Sequence, residues 1–211
     1  MTTREIRNQL LGARVIKGLE SRNMKGYYVT TKEAALAKAL ELIEDGSSVS
    51  WGGTMTMEEI GLDAAIKEGP YNLIDRDTAT DPEEKRALLL QAFGCDYYIG
   101  STNAITEDGV LINIDGNANR VAAYAFGPRN LILIVGMNKV VKSEADALSR
   151  ARNEAAPINA ARFGLDTPCM KNGMCYDCKV PDTICCQILT TRYSKVKDRI
   201  KVILVDEVLG Y

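Results

Sequence analysis

A chain of 211 residues with a net charge of −2 and a pI near 5.4 is long enough for one domain with a proper core. That charge balance speaks against a protein that grips nucleic-acid phosphates, which would show a basic face. Histidine is absent, which removes Ser–His–Asp triads, Cys–His pairs and every imidazole acid–base step.

The opening MTTREIRNQL carries no apolar leader, and no run approaches bilayer-spanning length, so a cytoplasmic protein without a membrane role is expected. A helix is predicted from about Arg4 to Met24, with Ile6, Leu10, Leu11, Val15 and Leu19 on one face. That stripe suits packing on the domain or on a second subunit, which makes a homodimer reasonable. Thr31 is placed to cap a second helix whose stripe is Ala34, Leu36, Ala39, Leu40 and Ile43.

From there short apolar segments (SSVSW, YNLID, DYYIG, GVLINI, NLILIVG) alternate with helix-like stretches at Met57–Lys67, Pro82–Phe93, Val121–Ala125 and Ser143–Ala161. The pattern predicts βαβ units and a largely parallel sheet flanked by helices. LILIV, with no polar alternation, reads as a central strand covered on both faces. Lys201 to Val205 supplies one more strand near the end.

Three segments carry more chemistry than turns require. In SWGGTMTMEEIGL, Gly52 and Gly53 follow a strand, and Thr54 or Thr56 caps a helix, with Thr56 and Glu59 spaced as a capping box. Free N–H groups there suit an anion; plain turn chemistry is the competing reading. GSTNAITEDGVLINIDGNANR holds two Asp-Gly turns and a surplus of Asn and Thr suited to a polar ligand. Within it, Glu107 and Asp115 are candidate acid–base groups, while Asn103 and Arg120 are candidate ligand contacts. A turn-rich surface hairpin would use the same residue types. Lys139 follows the central strand, at the edge where α/β proteins bind ligands, and could meet an anion there; a solvated loop lysine is the equal alternative.

Five of six cysteines lie between residues 167 and 186, spaced C-x5-C-x2-C-x6-C-C. Cys169, Cys175, Cys178 and either Cys185 or Cys186 form a candidate four-thiolate site for zinc or an iron–sulfur cluster. Unligated thiols, with Cys185 and Cys186 packing as small hydrophobes, are a second reading, and disulfides a third. A reducing compartment weighs against the third. Cys95, alone after Gly94, reads as a core residue.

The segments SWGGTMTMEEIGL, STNAITEDGVLINIDGNANRVAAYAFGP, LILIVGMNKVVKSEADALSRARNEAAPINAARF, TPCMKNGMCYDC, PDTICC and VILVDEVLGY resemble the lactate-utilisation (LUD) domain family in its single-domain form. The resemblance covers most of the chain past residue 45. It implies an α/β fold akin to the superfamily of ribose-5-phosphate isomerase, glucosamine-6-phosphate deaminase and CoA transferases. It implies a single domain over 1–211 and a lineage that includes subunits of a lactate-oxidising system working with iron–sulfur proteins. The implied function is binding of a small hydroxy or keto acid, or another anionic metabolite, beside iron–sulfur oxidoreductase subunits. A stand-alone isomerase or transferase using Glu107 and Asp115, and a non-catalytic metal-binding subunit, are the alternatives. The C-x2-C-x2-C-x3-C-P runs of larger relatives are absent.

Overall fold

The computed structural model describes residues 1–211. The first helix, α1 (Thr3–Ser21), opens on a capping box in which Thr2 and Glu5 satisfy each other's backbone N–H groups. Only its second half packs inward, through Gly12, Val15 and Leu19. Ile6 and Leu10, expected on the buried face, are exposed. Strand β1 (Lys25–Val29) follows at once, where the helical periodicity left no strand expected; its Tyr-Tyr-Val run has the bulky, β-branched character of a half-buried strand. Thr31 caps α2 (Lys32–Glu41) by accepting from the Ala34 N–H at 3.2 Å.

Strand β2 (Ser48–Trp51) leads through two glycines into α3 (Met55–Glu59) and α4 (Leu62–Glu68). The expected single helix is thus two, parted at Gly61, whose φ of 72° ends the first turn pair. A short β3 (Asn72–Leu73) precedes α5 (Pro82–Gln91), capped by Asp81 with Pro82 in its first turn. Then come β4 (Tyr97–Gly100), β5 (Ala104–Thr106), β6 (Leu111–Asp115), α6 (Asn119–Ala125), β7 (Asn130–Gly136) and β8 (Val140–Val141).

One long helical run follows, made of α7 (Glu144–Arg150), a wide π turn at Ala151–Ala155, and α8 (Ala156–Phe163). The π turn sits just before Pro157, which has no N–H to donate back along the helix. A short α9 (Pro168–Asn172) opens the cysteine segment, and β9 (Gln187–Thr191) and β10 (Ile200–Val205) finish the chain's regular structure.

Six strands form a wholly parallel sheet in the order β1-β10-β7-β4-β2-β3. Parallel pairing needs helical crossovers on both faces, so the central strands are apolar on both sides. In β7, Leu131, Leu133 and Val135 enter one core with α1 and α6. Ile132 and Ile134 enter the opposite core with α2 and α4. A second, mixed sheet, β8-β5-β6-β9, was not expected from the pattern. It packs against α7 through Ala104, Ile112, Ile114 and Ala147. The carboxyl ends of β2, β4 and β7 all open on the same edge, facing this second sheet.

Candidate functional site

Each strand that ends on that edge hands over to a turn carrying polar side chains. Beyond β2 comes Gly52-Gly53-Thr54, beyond β4 Ser101-Thr102-Asn103, and beyond β7 a tight turn, Met137–Lys139. From the second sheet, the end of β6 supplies Asp115, and the start of α6 supplies Arg120. These segments enclose a cavity of about 460 Å³. Of its 24 lining residues only 6 are hydrophobic, so an oxygen-rich ligand suits it better than an apolar one. Five cationic side chains, Arg76, Lys85, Arg120, Lys139 and Arg162, face two carboxylates, Asp77 and Asp115. The excess is positive, which favours an anionic occupant.

Lys139 is the most unusual member. It is 2 % exposed, and its Nζ donates to Ser101 Oγ at 3.0 Å and toward Thr56 Oγ1 at 3.4 Å. Both acceptors are neutral hydroxyls, and no carboxylate lies within ion-pair distance. Burial pushes its pKa down to about 7, helped by the Arg150 and Arg120 charges and opposed by Glu59 and Glu154. The closing residues form one wall. Asn138 holds them by accepting from the Leu209 N–H at 3.1 Å and donating to the Gly210 carbonyl at 3.2 Å. Gly210 has φ of 52°, and a Cβ there would stand 2.6 Å from Thr56 Oγ1 and 3.3 Å from Lys139 Nζ.

Arg120 serves the scaffold as much as the cavity. Its guanidinium donates to Asn113 Oδ1 at 3.1 Å and to the Ile114 carbonyl, and its Nε lies 3.8 Å from Asp115 Oδ2. Asp115 in turn accepts the N–H groups of Asn117 and Val121, at 3.2 and 3.0 Å. Between them Ala118 takes φ of 65°, a left-handed conformation that costs a non-glycine residue roughly 1 kcal/mol. The Asp115–Arg120 segment is therefore a tightly bonded corner. The buried Nδ2 of Asn113, beneath it, has no protein partner.

The predicted residues separate into two groups. Gly53, Thr54, Asn103, Asp115, Arg120 and Lys139 all line the cavity. Gly52 lies behind it: a Cβ there would meet Arg120 Cδ at 3.0 Å, so the glycine makes room for a side chain of the fold. Glu107 is not in the lining; it sits at the far end of β5, paired with Arg14 at 3.2 Å. The two candidate acid–base carboxylates are thus not brought together. The Thr56–Glu59 capping box is also absent. Thr54 is the N-cap residue without a side-chain bond, Thr56 turns to Lys139, and Glu59 accepts from the Gly210 N–H at 2.9 Å. Ser101, Arg76, Arg162, Asn159 and Tyr211 were not foreseen. Ser101 follows a strand on the same edge as Lys139 and could have been found by the same rule; the others arrive from distant segments with no local signal.

The cysteine segment adjoins this cavity. Ile184 lines it, Gly116 packs on the Ile184 backbone, and the Cys186 N–H donates to the Asp115 carbonyl at 3.0 Å. Thr183 Oγ1 accepts from the Cys185 N–H at 3.4 Å and lies 3.9 Å from Cys178 Sγ. Burial raises the Cys185 thiol to about 11, and the neighbouring Cys175, Cys169 and Cys178 push it the same way. The four predicted ligands lie in one segment, and no three Cys, Asp or Glu side chains stand at metal-ligand geometry. No disulfide is present, and Cys185 packs on the core of the second sheet. Cys95 is buried in the main core.

No curated protein matches this sequence. The fold is similar to that of a solved structure, a DUF162-family protein from Deinococcus radiodurans. That likeness has a TM-score of 0.50 at 14% identity and covers 97% of this chain and 99% of that one. The model of the LUD domain matches residues 12–205, a span that takes in both sheets, the cavity edge and the cysteine segment. The chain belongs to the LUD domain family.

Proposed function

We propose that this LUD-domain protein binds a small hydroxy or keto acid, or another anionic metabolite, in the cavity at the carboxyl edge of its parallel sheet. The observation that carries the reading is the buried Lys139 amine, held by two hydroxyls inside a cavity whose lining has more cations than carboxylates. A carboxylate entering the cavity would be drawn by its guanidinium groups, such as Arg76 and Arg162, and the Lys139 amine would be left to donate to the hydroxyl or ketone oxygen. Thr54 and Asn103 offer hydrogen bonds to hydroxyl or ketone oxygens beside it. At about 460 Å³ the space exceeds what a three-carbon acid fills, so a longer acid, or one carrying a second anionic group, is the better fit. The protein would serve a lactate-utilisation-type oxidoreductase system together with iron–sulfur subunits.

Cys169, Cys175, Cys178 and Cys185 are proposed as thiolate ligands of zinc or an iron–sulfur cluster, on the strength of their spacing. The isomerase-type alternative is weaker, because Glu107 lies away from the cavity and Asp115 is committed to Arg120 and two backbone N–H groups.

Calorimetric titration with lactate, pyruvate, 2-oxoglutarate and inorganic phosphate tests the binding reading. At least one acid is expected to bind the wild type, and Lys139→Met is expected to weaken it at least tenfold. Equal affinity in the variant would remove Lys139 from the site. Metal and sulfide analysis of anaerobically purified protein tests the second proposal. One zinc or one cluster per chain is expected, and Cys175→Ser/Cys178→Ser should lose it.

A further inference from the structure

The partners of Lys139 invite a question about its chemistry beyond attracting an anion. A lysine that serves only as a charge is normally exposed or paired with a carboxylate, because an isolated buried ammonium is costly. Lys139 has neither arrangement. Its Nζ ends among the Ser101 and Thr56 hydroxyls, beneath the Gly210 backbone, and opens on the cavity. Two guanidinium groups, Arg150 and Arg120, add charges that act against its protonation. Desolvation beside other cations is the environment that turns a lysine into a nucleophile.

We propose that Lys139 forms an imine with the ketone carbon of a keto acid bound in this cavity. The inference rests on the binding reading above, and it adds covalent chemistry that binding alone does not require. The neutral amine attacks the ketone carbon, forming the C–N bond, while the ketone oxygen takes up a proton. The amine gives up one proton, and the Ser101 and Thr56 hydroxyls, 3.0 and 3.4 Å from Nζ, can pass it on. The carbinolamine C–O bond then breaks, the hydroxyl leaving as water with the remaining N–H proton, and the nitrogen lone pair closes the C=N bond. The balance is one amine and one ketone to one imine and one water, with no oxidant or reductant.

With the amine titrating near pH 7, about half the molecules carry the reactive neutral form at neutral pH. An exposed lysine at its ordinary pKa near 10.4 would present roughly one in a thousand or fewer. Lys85, exposed at the rim of the same cavity, provides an internal comparison. Hydroxy acids carry no ketone, so the same site would bind them without covalent capture.

The test is borohydride trapping of the full-length protein with pyruvate or 2-oxoglutarate, followed by intact mass and peptide mapping, with calorimetry run in parallel. One reduced adduct per chain is expected, on the peptide carrying Lys139, increasing as pH rises through 7. Lys139→Arg, which keeps the charge but cannot form the imine, should lose that adduct. Calorimetric binding of either keto acid without a Lys139 adduct would overturn the imine while leaving the binding reading intact. Adducts confined to exposed lysines such as Lys85 would overturn it equally. Absence of both binding and adduct would overturn the two readings together. Mapping on the wild type keeps the test decisive even if the arginine variant fails to fold.

Discussion

Lys139 is a cost to the fold before any ligand arrives. Its folded pKa of about 7 lies below the ordinary 10.5, so between these values the unfolded chain binds a proton that the folded chain lacks. Stability therefore rises with pH across that window and is lost as pH falls through 7. Lys139→Met should abolish this dependence. In urea unfolding, wild type should gain on the variant by roughly 1 kcal/mol per pH unit between pH 7 and 10. Parallel curves for the two proteins would contradict the burial of a titrating amine. A second residue-scale prediction concerns Gly100, where a Cβ would lie 2.0 Å from the Tyr124 hydroxyl. That hydroxyl donates to the Ser101 carbonyl at 2.7 Å and accepts from its N–H at 3.2 Å. Gly100→Ala must displace the pair, and a loss of about 2–3 kcal/mol is expected in denaturant melts. Nothing near Gly100 in the sequence announces this, because Tyr124 comes from α6, beyond the second sheet.

At the scale of elements, the cavity depends on how the turns after β4 and β7 are tied together. Arg150, at the end of α7, spans them: Nε donates to the Asn138 carbonyl at 3.1 Å, and one terminal nitrogen donates to the Asn103 carbonyl. Its other terminal nitrogen pairs with Glu154 at 2.9 Å, inside the π turn. Arg150→Met should leave two carbonyls without donors and cost about 2–4 kcal/mol. It should also raise the Lys139 pKa, since the Arg150 charge helps to hold it down; the pH profile of Lys139 adduct formation would then move to higher pH. An unchanged profile would mean that burial alone sets the amine. The helix over Ser143–Ala161 was legible from its spacing, and Ser143 and Asp146 open it with a capping box. The inward aim of Arg150 was not legible, because the carbonyls of Asn138 and Asn103 that it meets lie more than ten residues away.

The whole molecule joins two sheets of different character. A strand run such as NLILIVG reveals burial on two faces by composition alone, and the parallel sheet confirms it. The second sheet escaped notice because its strands are short and its pairing is long-range, with β6 against β9 across the cysteine segment. That pairing brings Ile184 to the cavity wall. If the thiols hold a metal, its removal by chelator should change ligand affinity as well as stability. Trp51 offers a readout, being the one tryptophan and standing just before Gly52-Gly53-Thr54. Its fluorescence response to a bound acid should weaken in the chelated protein; an identical response would make the segment a separate unit.

Local order along the chain was enough for the strand–helix alternation, the cap at Thr31, the core role of Cys95, and the edge on which polar turns gather. These follow from short-range steric and hydrogen-bond preferences and from the period of apolar residues, which act within a few positions. Which of those polar residues meet was settled by packing. Folding carried Glu107 out to Arg14, set Gly52 behind Arg120, and turned Thr56 from a helix cap into a partner of Lys139. It also buried Lys139 among hydroxyls and guanidinium groups drawn from four separate segments. Desolvation and Coulomb interaction depend on distance in space, so the character of that amine exists only once the sheets have closed around it.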